Sequence, residues 1–267
     1  AIRVYKQGGP EEMKWETVDL PKVKEDEVLI KHTAIGLNYI DTYHRSGLYP
    51  MPVPLTLGLE GAGIVEEIGE NVNGLKAGDK VAYASPPIGS YAEEKVMPAD
   101  RLVKIPDNIS NEVAAAIMLK GMTVEYLVRR TYNVKAGQTV LFHAAAGGVG
   151  LIACQWLKAI GATTIGTVGS EEKAALAKAN GCDHTILYRK ENFVDKVKEI
   201  TNGKGVPVVY DGIGKDTFVQ GFDCLSPLGV MVIFGNASGN APPLETGMLA
   251  AKGSLYVTRP TLMTYTA

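Results

Sequence analysis

Ala145, Gly147 and Gly150 stand at GxGxxG spacing inside the stretch TVLFHAAAGGVGLIACQWLKAIGATTIGTVGS, from Thr139 to Ser170. In such a turn the middle glycine lets the backbone approach a pyrophosphate, and the last lets the following helix pack closely on its strand. The helix start offers unpaired N–H groups and a positive dipole end to phosphate. Alanine at the first position is tolerated where the backbone does not need a positive φ. Small residues at this spacing also serve tight packing alone. The context favours a nucleotide: an apolar strand precedes the turn, a helix follows it, and further strand–helix units lie beyond.

The end of the second strand selects the nucleotide. An NAD site places an acid there for the ribose 2′-OH, whereas this chain has Gly169-Ser170. Glu171 and Glu172 follow, but Ser170 is a good N-cap, which sets both glutamates in a first helical turn where the dipole favours them. Lys173 comes next, within reach of a 2′-phosphate, although a lone surface lysine also serves simply as a solvated charge. The missing acid and the lysine together point to NADP(H).

Those residues need a scaffold. Up to about Lys120 the chain is strand-like, with EVLIKHTAIGL, GAGIVEEIG, DKVAYAS and SYAEEKVM split by turn residues, and it reads as an irregular antiparallel barrel or sandwich. A helix is expected over NEVAAAIMLKGMTVEYLVRRTY, with Ser110 as N-cap. From Gln138 strands (TVLFH, TTIGTV, HTILY, VPVVYD, GVMVIFG, SLYVT) alternate with helices at Gly148–Ala159, Glu171–Asn180, Asn192–Thr201 and Lys215–Leu225. Repeated units of this kind imply a doubly wound parallel sheet. A length of 267 residues favours two domains.

Composition narrows the class. Apolar content of 46%, charged content of 21% and a net charge of −2 are ordinary for a globular protein, and no basic surface advertises nucleic acid or anionic membrane. No apolar run is long enough to span a bilayer, and the charges of AIRVYKQGGPEEMKW come too early for a secretory leader. Cys154, Cys182 and Cys224 lie far apart and form no CxxC, which fits a reducing cytoplasm.

The stretches AIGLNYIDTYHRSGLYP, GLEGAGIVEEIG, LKGMTVEYLVRRTY, LFHAAAGGVGLIACQW, VVYDGIGKDT, FGNASG and GSLYVTRP resemble the NADPH:quinone oxidoreductases of the zeta-crystallin type, in the zinc-free branch of the medium-chain dehydrogenase/reductases. The resemblance covers nearly the whole chain. It implies an α/β protein in which a GroES-like β-rich catalytic domain (residues 1–123) joins a Rossmann domain with a doubly wound parallel sheet (residues 124–259), with NADPH in the cleft between them. By the resemblance, Asn38, Asp41, Tyr43 and Tyr49 line the nicotinamide and substrate pocket, and Thr123 lies near the nicotinamide end. Ala146, Gly147, Gly148 and Val149 form the pyrophosphate loop, while Lys173 and Tyr188 surround the 2′-phosphate. Phe234, Gly235 and Asn236 form the strand end that passes the nicotinamide, and Arg259 is a later cofactor contact. Without the resemblance each tyrosine reads as an ordinary packed side chain. The family continues past its TRP segment into a helix and strands that close the catalytic domain. Here residues 260–267 read as the start of that return, which implies a partial chain.

Zinc-dependent relatives set a Cys and a Gly-His-Glu around their metal. This chain reads Asn38 and Gly58-Leu59-Glu60 at those positions, and His32, His44, His143 and His184 are scattered without ligand spacing, so no metal is expected. The reading is NADPH-dependent quinone reduction in the cytoplasm, by a protein that mainly binds and orients cofactor and acceptor. A homodimer is expected through the edge at GSLYVTRP. Two alternatives remain: reduction of an activated double bond in an enone or alkenal, and an NADPH-binding module with weak activity and an RNA-binding or structural role, which no basic stripe supports.

Overall fold

Alternation builds the first sheet. Val28 and Ile30 are fully buried while Lys31 and Thr33 face water, so one side of a strand meets a core and the other does not. The computed structural model describes residues 1–266. They divide into two compact units, the first ending at Leu119 and the second beginning at Lys120.

The first unit holds β1 (Ile2–Val4), β2 (Met13–Trp15), β3 (Glu27–Gly36), α1 (Tyr39–Ser46), β4 (Leu55–Thr56), β5 (Glu60–Ile68), β6 (Lys80–Ala84), β7 (Glu94–Pro98), β8 (Val103–Lys104) and the start of α2 (Asn111–Glu125). A five-stranded antiparallel sheet runs in the order β7-β3-β5-β6-β8, and a three-stranded one in the order β2-β1-β4. Val28, Ile30, Val65, Val81, Tyr83 and Met97 form the core of the larger sheet.

The second unit contains β9 (Thr139–Phe142), α3 (Gly148–Ile160), β10 (Thr163–Val168), α4 (Glu171–Ala179), β11 (His184–Leu187), α5 (Phe193–Ile200), β12 (Val206–Asp211), α6 (Phe218–Gly221), β13 (Leu225–Ile233), α7 (Thr246–Ala251), β14 (Tyr256–Thr258) and α8 (Leu262–Thr266). Its six strands are parallel in the order β11-β10-β9-β12-β13-β14, the dinucleotide-binding order, which reverses between β9 and β12. The strands are apolar on both faces because both are covered. Leu141, Val209 and Met231 face a cluster with Phe193 and Val197 of α5, while their neighbours Val140, Val208 and Val232 face Ala153 and Leu157 of α3.

Three local differences from the sequence expectations have physical causes. Helix α1 was not expected; it is short, but Asn38 caps it, Asp41 returns a bond to the Asn38 N–H at 2.9 Å, and Gly47 ends it at φ 82°. The helix expected over 111–132 is regular only to Glu125; it then widens into a π turn over Tyr126–Thr131, whose apolar residues Tyr126, Leu127 and Val128 are buried. The helix expected from Lys215 starts at Phe218, because Asp211 holds the preceding turn by accepting from the N–H groups of Ile213 and Gly214 and from Thr217 Oγ1.

The compact units divide at 119/120, and Val124 packs among residues of the parallel-sheet core. In the segment after Pro260, Tyr265 stacks on Tyr126 with ring centroids 4.6 Å apart, and Leu262 joins the same core.

Candidate active site

The turn from Ala144 to Gly150 lies where the strand order of the second unit reverses. Ala144 takes the left-handed conformation at φ 56°, so the fingerprint's first position, Ala145, needs no positive φ. Ala145 is fully buried and donates its N–H to Thr167 O at 3.1 Å. Its methyl has room only because residue 166 is glycine, where a Cβ would stand 2.5 Å from it. Gly147 caps α3 with extended backbone, and both Gly147 and Gly148 are exposed. At Gly150 a Cβ would lie 2.3 Å from Ala144 O and 2.6 Å from Ala145 O, so glycine is required there. Ala146 and Val149 are half-buried, leaving the helix N-terminus open to an anion. Lys120 lies alongside: its Cδ is 2.9 Å from where a Gly148 Cβ would be. Sequence reasoning missed this lysine, because nothing in spacing links residues 28 positions apart.

At the end of β10, Ser170 Oγ accepts the Lys173 N–H at 3.3 Å and caps α4. Glu171 and Glu172 are exposed in the first turn, and Glu171 pairs with Lys190 at 3.2 Å. The Tyr188 hydroxyl and Arg189 Nε lie 3.5 and 3.8 Å from the place of a Gly169 Cβ, and the Arg189 guanidinium lies over the Tyr188 ring at 6.0 Å. Gly169, Ser170 and Tyr188 are thus gathered, with Lys173 exposed on the adjoining turn. Arg189 is a second cation that sequence reasoning passed over, although it stands beside Tyr188.

At the end of β13, Phe234 donates its N–H to Asp211 O at 2.8 Å. Gly235 lies so close to Gly212 that a Cβ would be 2.5 Å from Gly212 O. Asn236 and Thr123 are buried. Arg259 donates from Nη1 to Ile233 O at 2.9 Å, which ties β14 to this strand end. His143, buried beneath the loop, pairs through Nδ1 with Thr167 Oγ1 at 3.0 Å, and burial holds its pKa below the ordinary value.

The first unit gathers the remaining candidates on α1 and at its two ends. Asp41 accepts from the Asn38 N–H and from the Tyr91 hydroxyl, each at 2.9 Å. Burial, reinforced by this carboxylate, raises the Tyr91 pKa. Asn38 is buried and donates from Nδ2 to Glu60 Oε2 at 2.7 Å. The Tyr43 and Tyr49 rings lie 5.0 Å apart, joined by Tyr49 N–H to Tyr43 O at 3.1 Å. Asp41 is thereby a positioning carboxylate for Asn38 and the helix start. Among the described residues no three His, Cys, Asp or Glu side chains gather as a metal site, and no helix is long and apolar enough to cross a membrane.

Comparison with known proteins places this geometry. Residues 24–107 match the alcohol dehydrogenase GroES-like domain, and residues 148–263 match the zinc-binding dehydrogenase domain. A quinone oxidoreductase of Pseudomonas aeruginosa is 54% identical over 265 residues, which are 99% of this chain and 82% of that protein. The chain belongs to the quinone oxidoreductases of the medium-chain dehydrogenase/reductase family. The crystal structure of the Escherichia coli quinone oxidoreductase complexed with NADPH superposes with a TM-score of 0.97 at 50% identity, covering 99% of this chain and 81% of that one. A 2-haloacrylate reductase of Burkholderia is 45% identical over 99% of this chain and 82% of that protein.

Proposed function

We propose that the chain reduces quinones with NADPH. The observation that carries the cofactor is the end of β10: no acid projects where a ribose 2′-OH would bind, and Tyr188 and Arg189 flank Gly169 with Lys173 nearby. The residues fit the group. The open N-terminus of α3 and the glycine spaces at 147, 148 and 150 leave backbone N–H groups for a pyrophosphate, and Lys120 sets a cation beside them. Bound NADPH supplies the hydride.

The chain's own residues bind and orient. Ala146 to Gly150 hold the pyrophosphate, and Gly169, Ser170, Lys173, Tyr188 and Arg189 form the 2′-phosphate end. Thr123, Phe234, Gly235, Asn236 and Arg259 shape the nicotinamide end, and Asn38 is among the catalytic residues that the first unit supplies. Tyr43 and Tyr49 hydrogen-bond the acceptor's oxygen. A quinone accepts electrons readily, so orientation and exclusion of water suffice. The polypeptide offers Asn38 and Leu59 where zinc-dependent relatives place ligands, which leaves no Lewis acid in this reading.

The similarity to a 2-haloacrylate reductase favours one second reading. An acrylate carries an activated carbon–carbon double bond, whose reduction needs a proton as well as a hydride, and a tyrosine hydroxyl of the Tyr43–Tyr49 pair is the candidate donor. We also propose a dimer through β14, an edge strand of the parallel sheet with Tyr256 exposed at its start. Light scattering at monomer mass would remove the dimer. Steady-state NADPH oxidation with a quinone series and an enone series tests the reaction: turnover with quinones is expected, and none with either series would sink the reductase reading.

A further inference from the structure

Glu60 is fully buried at the first position of β5. A carboxylate taken out of water is costly unless donors surround it. Here Oε2 accepts from Asn38 Nδ2 at 2.7 Å, and Oε1 accepts from the Leu119 N–H in α2 at 2.8 Å. Gly36 at the end of β3 makes the room: a Cβ there would stand 2.2 Å from Glu60 Oε2 and 2.3 Å from Ala115 O. Three elements therefore converge on one side chain at the place where zinc-dependent relatives carry Gly-His-Glu.

The chemistry of this contact fixes an orientation. A carboxylate only accepts, so the Asn38 amide turns its NH2 toward Glu60 and leaves its Oδ1 to the start of α1, where the Asn38 side chain accepts from the Asp41 N–H in the capping box. The Asn38 backbone is held separately, its N–H bonded to Asp41 at 2.9 Å. Asn38 is thus clamped at main chain and side chain by two carboxylates from different elements, which sets an amide more firmly than one contact could.

We propose that Glu60 is a positioning residue for the reduction: it locks the Asn38 amide and, through it, the start of α1, the helix that carries Tyr43. This rests on the proposed function, in which Asn38 and Tyr43 are among the residues that serve the reduction. Glu60→Gln keeps the size and an acceptor for Leu119. Its NH2, however, faces the Asn38 amide and turns that amide over, presenting a donor to the Asp41 N–H where an acceptor stood.

The test is a double-mutant cycle on kcat/KM for a quinone with NADPH saturating. Glu60→Gln is expected to lower kcat/KM by about 10- to 100-fold, the scale of one charge-assisted hydrogen bond. In the Asn38→Ala background the same change is expected to cost less than about threefold, because the two residues act as one unit. A readout without cofactor accompanies it: the Asn38 side-chain NH2 resonances shift and exchange faster with solvent in Glu60→Gln. An equal loss in both backgrounds, or unmoved NH2 resonances, overturns the positioning role alone. A wild-type protein that turns over no quinone overturns the proposed function with it, and the NMR arm then still reads whether the clamp exists. Should Glu60→Gln not fold, the pair Asn38→Asp with Glu60→Gln reverses the hydrogen bond. That pair is expected to recover the unfolding midpoint lost in Asn38→Asp alone, and no recovery overturns the clamp.

Discussion

The two units build their candidate sites from different materials. In the second, the phosphate turn is made of backbone: bare N–H groups at the start of α3, with glycines where a Cβ would strike a carbonyl. In the first, the cluster around α1 is made of buried side chains, with Asn38, Asp41, Glu60 and Tyr91 satisfying one another. A backbone site fails when a volume is added, because its atoms have nowhere to go. A side-chain site fails when a partner is removed, because a buried polar group is then left without its bond. The contrast predicts which kinds of substitution hurt each unit.

The largest expected effect is at Gly150. Valine there would push its Cβ against Ala144 O, 2.3 Å away, and displace the start of α3. With several N–H-to-phosphate bonds lost together, NADPH affinity is expected to fall on the order of a hundredfold or more, at about 0.5–1.5 kcal/mol each. Gly148→Ala is the control, since its nearest obstacle is the flexible Lys120 stem rather than backbone. Titration of NADPH fluorescence reads both. A Gly148→Ala loss as large as that of Gly150→Val would break the distinction between rigid and yielding neighbours.

Next is the proposed 2′-phosphate end, where side chains would complete a backbone site. Lys173→Glu is expected to weaken NADPH by roughly 10- to 100-fold and NADH much less, the worth of one charge-assisted contact. Arg189→Ala should cost less, about threefold to tenfold, because its guanidinium remains partly solvated against Tyr188. Equal losses for NADPH and NADH in either variant would take that residue away from the 2′-phosphate.

This division also explains what could be seen in the sequence. Gly147 and Gly150 were visible as a pattern because a backbone site constrains neighbours along the chain, and the parallel sheet of β9 to β14 followed from alternating periods, though its order did not. Glu60 was seen only as a residue in a vacant ligand position. Its partners, Asn38 and Leu119, lie 22 and 59 positions away, and no local rule joins them. Helix α1 is an intermediate case. Its signals, Asn38 and Asp41 at capping-box spacing with Gly47 at the end, are all local, but eight residues carry too short a period to stand out among strands. Lys120 beside Gly148 and the packing of Tyr265 on Tyr126 were hidden for the same reason as Glu60: tertiary contact brings them together.

Tyr49→Phe probes the side-chain site more gently. The ring remains against Tyr43 and only the hydroxyl is lost. On a quinone, turnover is expected to fall about tenfold, the scale of one modest hydrogen bond. On an enone, where the hydroxyl would donate the proton, the expected loss is on the order of 10²–10⁴-fold. A thousandfold collapse on the quinone would make the tyrosine an essential acid and end the reading of a mainly orienting pocket.

The smallest expected effect concerns Lys95, another buried polar group of the first unit. It lies on β7 with its Nζ donating to Pro87 O and sitting 4.4 Å over the Tyr83 ring. Burial pushes its pKa down to about 7 from 10.5. The ionisable groups facing it are Tyr83, whose pKa burial raises, and His32, whose pKa burial lowers with Lys95 adding to that shift. Folding therefore disfavours the charged ammonium. Below pH 7 both folded and unfolded chains carry the proton and the full cost is present. Between about pH 7 and 10.5 the unfolded chain binds the extra proton, so stability rises with pH across that window. Lys95→Met keeps the apolar stem and removes the titration. Its unfolding midpoint should exceed that of the wild type at pH 7, and the gap should shrink toward pH 9.5, as read by denaturant unfolding at several pH values. Parallel pH profiles for the two proteins would mean that the ammonium reaches water in the folded state, and the first unit would then owe none of its pH dependence to this lysine.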